Sequence, residues 1–281
     1  MCELLALSMS QPARLTFSLH TLAARGGDGG TTRDGWGVAF YEGDDVALFR
    51  EPGAAGNSAL VRYLETEGPS TTLAISHIRH ATQGGVQLSN TQPFARELGG
   101  RMHVFAHNGH LPGIERDASM TLGARRPVGQ TDSEHAFCAL LERLRPLWQD
   151  GQVPPLDTRL SLLAEFAREL RVFGPANFLY ADGDALFAHG NRRIQPTVGR
   201  IEPPGLWLLS RHCTPPEPSP QEHGGVSVAQ GERAIVWVAS VPLTAEAWRP
   251  LAEGELLAVR AGEVIASGPP PSGRTASRPA R

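Results

Sequence analysis

Cys2 stands directly behind the initiator methionine and ahead of the apolar run "ELLALSM". Initiator methionine is commonly removed when the next residue is small, and removal would leave a thiol and a free α-amine on one carbon. An α-amine with an ordinary pKa of about 7.7–8.0 suits a general base near neutral pH. This pairing would supply a nucleophile with its own base. The alternative interpretation is an inert cysteine packed in a first strand, because free cysteine is often buried.

Arg79 ends an apolar run in the stretch "SHIRHATQGG". The planar fork of an arginine at the end of a strand can hold a carboxylate, although such an arginine is more often a solvated surface charge. His77 and His80 in the same stretch resemble a metal-binding pair. Two histidines without further ligands nearby do not complete a typical metal site, so we predict no metal.

Asn108 and Gly109 follow another apolar run in "FAHNGHL". Asn-Gly is the favoured two-residue hairpin turn. Alternatively, the Asn108 side-chain amide and the Gly109 backbone N–H can converge on one oxygen and form an oxyanion hole. Glycine at this position also lets a substrate approach the backbone closely. The motif alone leaves both interpretations open.

Asp132 in "GQTDSEHAF" precedes a helical pattern. Capping and the helix dipole explain an acid at that place, but the carboxylate could also bind the ammonium group of an amino acid.

The four stretches together supply a nucleophile with a base, a carboxylate clamp, an oxyanion hole and an ammonium acceptor. A substrate with an α-carboxylate, an α-amine and a distal amide fits this set, and glutamine is that molecule.

Composition limits the other classes of function. The chain has 281 residues, 41% of them hydrophobic, a net charge of −3 and three cysteines. Neither nucleic acid nor an anionic membrane is an expected partner, and no run reaches the roughly 18–20 apolar residues of a membrane span. We predict a cytoplasmic globular protein without a secretory signal or disulfides. All 26 basic side chains are arginine, which excludes P-loop, Schiff-base and general-base lysines.

The elements that must position these residues are strands, then two helices, then strands again. "CELLALSM", "GWGVAFYEGDDVALFRE", "TTLAISHIRHA" and "RMHVFAHNG" read as strands, with a hairpin over residues 43–45. Thr131 and Glu134 form a plausible capping box for a helix that Pro146 ends. A second helix is predicted in "PLDTRLSLLAEFARELRVFG", with Asp157 as N-cap and Gly174 as its end.

The later segments "ANFLYADGDALFAHG", "GLWLLSRH", "RAIVWVASVPL" and "GELLAVRAGEVIAS" return to strand patterns, two of them hairpins over residues 182–183 and 261–262. This order predicts a layered α+β domain, with sheet packed on sheet and helices outside. "CTPPEPSPQEHGG" is predicted to be a surface loop. We predict one domain over residues 1–267 and a disordered tail over residues 268–281.

Five blocks then make the sequence recognisable: Cys2, "RGG" with "RDGWGVAFYEG", "SHIRHATQG", "FAHNGHL" and "RPVGQTDSEHAFCALL". In this order over residues 2–145, the sequence resembles the class II glutamine amidotransferases. These are N-terminal-nucleophile (Ntn) hydrolases, and the likeness is greatest to the branch in which the glutaminase-like domain is the entire protein. The resemblance implies a four-layer αββα sandwich of two antiparallel sheets, and no cofactor.

The resemblance also implies roles for individual residues. Cys2 is the nucleophile, and Asn108 with Gly109 forms the oxyanion hole. The residues implied to bind or border the substrate are Arg79 and Thr82 at its α-carboxylate, Asp132 at its α-amine, and Trp36 and Gly37 as neighbours of the site.

The implied reaction is hydrolysis of the γ-amide of glutamine to glutamate and ammonia through a cysteine thioester. The fate of the ammonia leaves two alternatives. A separate ammonia-accepting synthase subunit takes it, or the enzyme hydrolyses a larger γ-glutamyl peptide or amide, as do relatives in glutathione degradation and ergothioneine synthesis. His80 and Gln83 depart from the sugar-amidating branch and leave the substrate beyond its γ-glutamyl part open. A catalytically silent binding module is the alternative of another class.

Overall fold

The computed structural model describes residues 2–14, 34–149, 151–213, 222–223, 226–227 and 233–268. These residues form two large antiparallel sheets with three α-helices. The helices are α1 (Ala59–Glu67), α2 (Asp132–Leu144) and α3 (Leu156–Phe173). The strands are β1 (Glu3–Arg14), β2 (Trp36–Glu42), β3 (Asp45–Glu51), β4 (Ser70–Ile78), β5 (Phe94–Leu98), β6 (Arg101–Gly109), β7 (Ala176–Ala181), β8 (Leu186–His189), β9 (Arg193–Ile194), β10 (Ile201–Glu202), β11 (Trp207–Cys213), β12 (Glu222–His223), β13 (Val226–Ser227), β14 (Arg233–Ala239), β15 (Arg249–Pro250), β16 (Leu256–Arg260) and β17 (Glu263–Gly268).

One sheet has seven strands in the order β15-β11-β14-β1-β4-β2-β3, and the other has six in the order β17-β16-β8-β7-β6-β5. The first strand therefore lies in the middle of the seven-stranded sheet, paired on both sides. Strands β6 and β7 are neighbours in the six-stranded sheet although α2 and α3 separate them in the chain. This pairing places the end of β6 beside the start of β7.

Both sheets are buried on both faces. Successive side chains of a strand point to opposite sides, so apolar residues at consecutive positions contact different layers. In β1, Leu4 and Ala6 pack between the two sheets, whereas Leu5 and Leu7 pack on the outer face together with Val61 of α1. The outer face of the six-stranded sheet is covered by α2 and α3. The predicted four-layer sandwich of two antiparallel sheets is confirmed.

Aromatic rings fill the layer between the six-stranded sheet and its helices. Phe105 of β6 stacks on Phe137 of α2, and Phe178 of β7 meets Phe166 of α3 edge-on. All four side chains are fully buried, and large aromatic side chains dominate the energy of such cores. This packing fixes both helices over the strands β6 and β7, whose ends carry the candidate site.

The ends of the two predicted helices agree only in part with the sequence patterns. The Thr131 hydroxyl caps α2 by accepting from the Glu134 N–H at 3.2 Å. The Glu134 carboxylate, however, accepts from the N–H groups of Val128 and Gly129. The prediction of Asp157 as N-cap is wrong: α3 begins at Leu156 after Pro155, and Asp157 lies inside the first turn.

The other local predictions have mixed outcomes. The three predicted hairpins form, Gly174 ends α3, and the α-helical part of α2 ends before Pro146, which lies in a 3₁₀ turn. The sequence patterns missed α1, which Ser58 caps by accepting from the Val61 N–H at 3.0 Å. Part of the predicted loop "CTPPEPSPQEHGG" contributes the short strand β12, and its residues 214–221 and 224–225 lie outside the described residues.

The predicted boundary at residue 267 falls inside β17, which runs to Gly268. The predicted tail beyond it, residues 269–281, lies outside the described residues, so the division into one domain and a tail stays a prediction. None of the helices in the described ranges is long and apolar enough to span a bilayer.

Three buried histidines make the stability of the fold sensitive to acid. Burial lowers the pKa values of His77, His103 and His189 to about 3, whereas an unfolded histidine has a pKa of about 6.5. Below pH 6.5 the unfolded chain binds protons at these histidines that the folded chain does not bind. The free energy of unfolding therefore decreases as the pH is lowered. We expect a loss of about 2 kcal/mol per histidine at pH 5, measured by urea unfolding.

The matched test compares the wild-type protein with His103→Asn at pH 7 and pH 5. For each protein, the free energy of unfolding at pH 5 is subtracted from that at pH 7. This difference should be about 2 kcal/mol smaller in the variant than in the wild-type protein, whatever the stability of the variant at pH 7. An equal difference in both proteins would show that His103 is protonated in the folded state or does not become exposed on unfolding.

Candidate active site

Cys2 lies at the start of β1, one residue before the pairing of Glu3 with Ile78 of β4. Its sulfur accepts a hydrogen bond from the His80 backbone N–H at 3.2 Å, and its thiol reaches the His80 carbonyl at 3.3 Å. Burial raises the pKa of the Cys2 thiol, and the His80 hydrogen bond opposes that rise. The thiol is therefore protonated near neutral pH and needs a base before it can act as a nucleophile.

A buried ion pair fixes the residue next to Cys2. The Glu3 carboxylate accepts from the Arg193 guanidinium at 2.6 Å, and both side chains are almost fully buried. Arg193 also donates to the Ser240 carbonyl, while the Ser240 hydroxyl accepts from the Leu4 N–H at 2.9 Å. These bonds tie the start of β1 to two distant segments, so the backbone that carries the thiol is held in place.

Asn108 connects the two sheets at the position of Cys2. It lies in β6, and its side-chain amide donates to the Cys2 carbonyl at 2.6 Å. A primary amide has two N–H donors, so one donor is used by Cys2 itself. The amide therefore lies against the residue that carries the thiol.

Gly109 continues β6 instead of forming a turn. Asn108 pairs with Asn177 and Gly109 pairs with Ala176 of β7, so the hairpin-turn interpretation of Asn-Gly is wrong. A Cβ on Gly109 would lie 1.8 Å from the Pro175 carbonyl oxygen. No side chain fits at that distance, so a glycine is required by the close approach of the two backbones.

Asp132 is the first residue of α2, with Thr131 as the N-cap. One carboxylate oxygen accepts from the Leu111 N–H at 2.7 Å and lies 3.4 Å from Nδ1 of His110. The other oxygen accepts from the Ser133 N–H at 2.7 Å. Asp132 therefore connects the start of α2 to the loop that follows Gly109, which places the fourth motif beside the third.

Arg79 is buried, and the loop that follows it surrounds its guanidinium. The two terminal nitrogens donate to four backbone carbonyls, at distances of 2.9–3.2 Å. These carbonyls belong to Asp34, Gln83, Gly84 and Gly85. The fork that was expected to bind a substrate carboxylate is thus occupied by the protein's own backbone. Only the Nε–H of the five donors is left over by these bonds.

The remaining predicted residues lie in different surroundings. Thr82 is exposed in the loop after Arg79. Gly37 pairs with His77, and a Cβ on it would lie 2.5 Å from the Gln92 carbonyl. Trp36 packs in the core on the outer face of the seven-stranded sheet, where its indole N–H donates to Glu51 at 3.0 Å. The structure thus brings Cys2 together with the Arg79 loop and Asn108, but directs Trp36 away from them.

Sequence reasoning missed Asn177 near the site, and it weighed His77 only as one of a metal-binding pair. The Asn177 side chain donates to the Asn108 carbonyl at 3.1 Å and to the Arg192 carbonyl at 2.7 Å, which fixes the strand end that carries the Asn108 amide. His77 is fully buried, and neither ring nitrogen has a hydrogen-bond partner among the described residues. A single asparagine within the apolar run "ANFLYA" was the available signal for Asn177.

His77 and His80 do not form a metal site in the part of the chain that the structure describes. His77 is neutral at pH 7, because burial lowers its pKa to about 3. Nδ1 of His80 lies 3.9 Å from the Asp34 carboxylate. No group of three His, Cys, Asp or Glu side chains that could hold a metal ion occurs among the described residues.

Comparison with known proteins identifies the family. The sequence matches the profile described as "Glutamine amidotransferases class-II" over residues 1–280. An Escherichia coli (strain K12) protein named "Putative glutamine amidotransferase YafJ" is 35% identical over 258 residues, which cover 91% of this chain and 96% of that protein. The crystal structure of a predicted glutamine amidotransferase from Pseudomonas aeruginosa PA01 has a TM-score of 0.67 at 35% identity, covering 94% of this chain and 100% of that chain.

A more distant structure shares the fold. The glutamine phosphoribosylpyrophosphate amidotransferase from B. subtilis superimposes with a TM-score of 0.54 at 16% identity, and the match covers 95% of this chain and 49% of that chain. The match in sequence over nearly the whole chain, together with the two packed antiparallel sheets, leads to one conclusion: the chain belongs to the class II glutamine amidotransferase family.

Proposed function

We propose that this protein hydrolyses the γ-amide of glutamine to glutamate and ammonia, with Cys2 as an N-terminal nucleophile. The observation that carries the proposal is the contact between the two sheets, where the Asn108 amide lies 2.6 Å from the carbonyl of Cys2. Cys2 would supply the nucleophile and Asn108 the oxyanion donor, which are the two groups that acyl transfer needs most.

The reaction begins with removal of Met1, which frees the α-amine of Cys2. That amine takes the thiol proton, and the thiolate attacks the γ-amide carbon of glutamine. The Asn108 amide and the Gly109 N–H stabilise the negative oxygen of the tetrahedral intermediate. When the intermediate collapses, the C–N bond breaks, the ammonium group of Cys2 donates its proton to the leaving nitrogen, and ammonia departs.

The second half of the reaction hydrolyses the γ-glutamyl thioester. The Cys2 amine accepts a proton from water as the water oxygen attacks the thioester carbon, and the same oxyanion donors act again. The C–S bond then breaks, glutamate leaves, and the proton returns to the sulfur. A raised thiol pKa supports this scheme, because a thiol that is protonated at neutral pH requires a base next to it.

Asp132 and Arg79 are proposed to bind the amino acid end of the substrate, with Thr82 beside the carboxylate. The Asp132 carboxylate accepts from the N–H groups of Leu111 and Ser133 and from the Ser133 hydroxyl. A carboxylate has about four acceptor positions, so one is left for an α-ammonium group. Arg79 uses two terminal nitrogens for the loop 83–85 and Asp34. Binding of an α-carboxylate therefore requires that this loop gives up carbonyl contacts or that Nε donates.

The proposed function has a close alternative, hydrolysis of a γ-glutamyl peptide or amide larger than glutamine. His80 supports this alternative, since its half-exposed side chain follows Arg79 and its backbone contacts the sulfur. In the main proposal, a separate ammonia-accepting synthase subunit is the expected partner, and the protein is expected to act in the cytoplasm.

Release of glutamate from different substrates separates these proposals. We expect the purified protein to convert glutamine to equal amounts of glutamate and ammonia, because the site needs only the γ-carboxamide and the amino acid end. The comparison substrates are γ-glutamylcysteine, glutathione and γ-glutamyl methylamide. Glutamate from these compounds but not from glutamine would replace the main proposal by the peptide hydrolase. Glutamate from none of them would favour the binding module.

A further inference from the structure

A second cleft lies next to the end of strand β6, outside the site described above. It has a volume of about 440 Å³, and its wall includes Arg168, Arg171 and Arg192. Small-molecule sites typically have volumes of about 300–1,000 Å³. Arg168 and Arg171 also line an adjoining cleft of about 310 Å³. Two arginines on one face of α3 are therefore shared by both clefts.

The positive charges of this cleft are not balanced by its acids. Glu253 is the one carboxylate in the described wall of the larger cleft, and it accepts from Nε of Arg192 at 2.7 Å. Arg168 lies 3.6 Å from Glu165, and both side chains are well exposed. Exposed pairs at such distances stabilise a protein by little. In the described wall of the larger cleft, three guanidinium groups therefore face one carboxylate, and that carboxylate is already paired with Arg192.

Arg171 is the least satisfied of the three arginines. Among the described residues it has neither a hydrogen-bond nor an ion-pair partner, and its Nε is buried. Burial lowers the pKa of Arg171, Glu253 opposes that shift, and Arg168 and Arg192 lower the pKa further. A helix dipole favours one basic residue in the last turn of α3, but it does not explain an unpaired, partly buried charge beside two others.

The rim of the cleft also has an apolar side. Val172 and Ile201 line it with 82% and 51% of their surfaces exposed. Exposed apolar groups beside the unpaired Arg171 suit a ligand that has both an organic body and an anionic group. Arginine recognises phosphate and carboxylate groups through parallel N–H donors.

We propose that this cleft binds a small organic anion, an organic phosphate or carboxylate, through Arg168 and Arg171. The cleft adjoins the proposed oxyanion hole, because Pro175 forms part of its wall and the Pro175 carbonyl occupies the space of a Cβ on Gly109. The proposal concerns binding and does not depend on the chemistry at Cys2.

Calorimetric titration of the full chain tests the proposal, with phenyl phosphate, benzoate and inorganic phosphate at constant ionic strength. We expect saturable binding of one aryl anion, tighter than that of inorganic phosphate, and at least a tenfold weaker affinity in Arg171→Gln. Stronger binding of phenyl phosphate assigns a phosphate, and stronger binding of benzoate assigns a carboxylate. The matched control is Arg116→Gln, because Arg116 is exposed and pairs only with its neighbour Glu115 among the described residues.

Two results would overturn the proposal. Equal affinities of the wild-type protein and Arg171→Gln would show that the anion binds elsewhere, and an absence of saturable binding would show that the cleft is not a site. Thermal unfolding without ligand checks the variant itself. Arg171→Gln should unfold at the same or a higher temperature than the wild-type protein, since the substitution removes an unpaired charge and no hydrogen bond to a described residue.

Discussion

Replacing Cys2 by alanine is expected to abolish release of glutamate, with a loss of roughly 10⁴-fold or more in kcat. Removal of the nucleophile of a covalent mechanism typically has effects of this size. The fold should persist, because within the described ranges the Cys2 thiol forms hydrogen bonds only with the backbone of His80. Steady-state assay of glutamate, with thermal unfolding on the same samples, measures both quantities.

The control for this variant is Cys138→Ala. Cys138 is buried in α2 and takes no part in the proposed site, so its substitution should leave kcat unchanged. Cys2→Ser provides a second check, because serine keeps the shape of the side chain but is a far weaker nucleophile without a thiol. Full activity of Cys2→Ser would contradict the assignment of Cys2 as the nucleophile.

Replacing Asn108 by alanine is expected to lower kcat by about 10²–10³-fold, as loss of one oxyanion donor does in comparable sites. KM should change little, because the donor acts on charge that develops in the transition state. Asn108→Asp should be at least as slow, since it places a negative charge where the oxyanion forms. Steady-state kinetics on all three proteins gives the separate effects on kcat and KM.

An exposed asparagine serves as the matched control for this series. Asn57 lies in the turn before α1, and Asn57→Ala should keep the kinetic constants of the wild-type protein. A fall in kcat of less than threefold in a folded Asn108→Ala protein would exclude the amide as an oxyanion donor. The loss of its hydrogen bond to the Cys2 carbonyl could also loosen β1, which thermal unfolding of the variant would detect.

The sequence allowed the layers of the fold to be predicted because its local patterns and its global topology agree. The continuous apolar run in the strand beginning at Glu3 is typical of a strand buried on both faces, and the helical stripe after Thr131 indicates one buried face. The helix α1 was missed because it buries only Val61 and Leu64, which is too short an apolar pattern to distinguish from a loop.

The site could be predicted in its residue types but not in its contacts. Asn108 and Gly109 form part of a strand because their partner β7 follows two helices later in the chain, and no local pattern carries that information. The same holds for Arg79, whose guanidinium satisfies carbonyls from two separate segments. Trp36, expected only as a neighbour of the site, packs in the core on the outer face of its sheet, since a motif gives the position of a residue but not the direction of its side chain.

The central claim is that a freed N-terminal cysteine attacks a bound γ-carboxamide. Incubation with a glutamine analogue that carries an electrophile in place of the amide, followed by mass spectrometry of the intact chain and its peptides, tests it most directly. We predict one adduct, on the sulfur of an N-terminal Cys2 in a chain that lacks Met1. An adduct on Cys138 or Cys213, or an active protein that retains its initiator methionine, would contradict the claim.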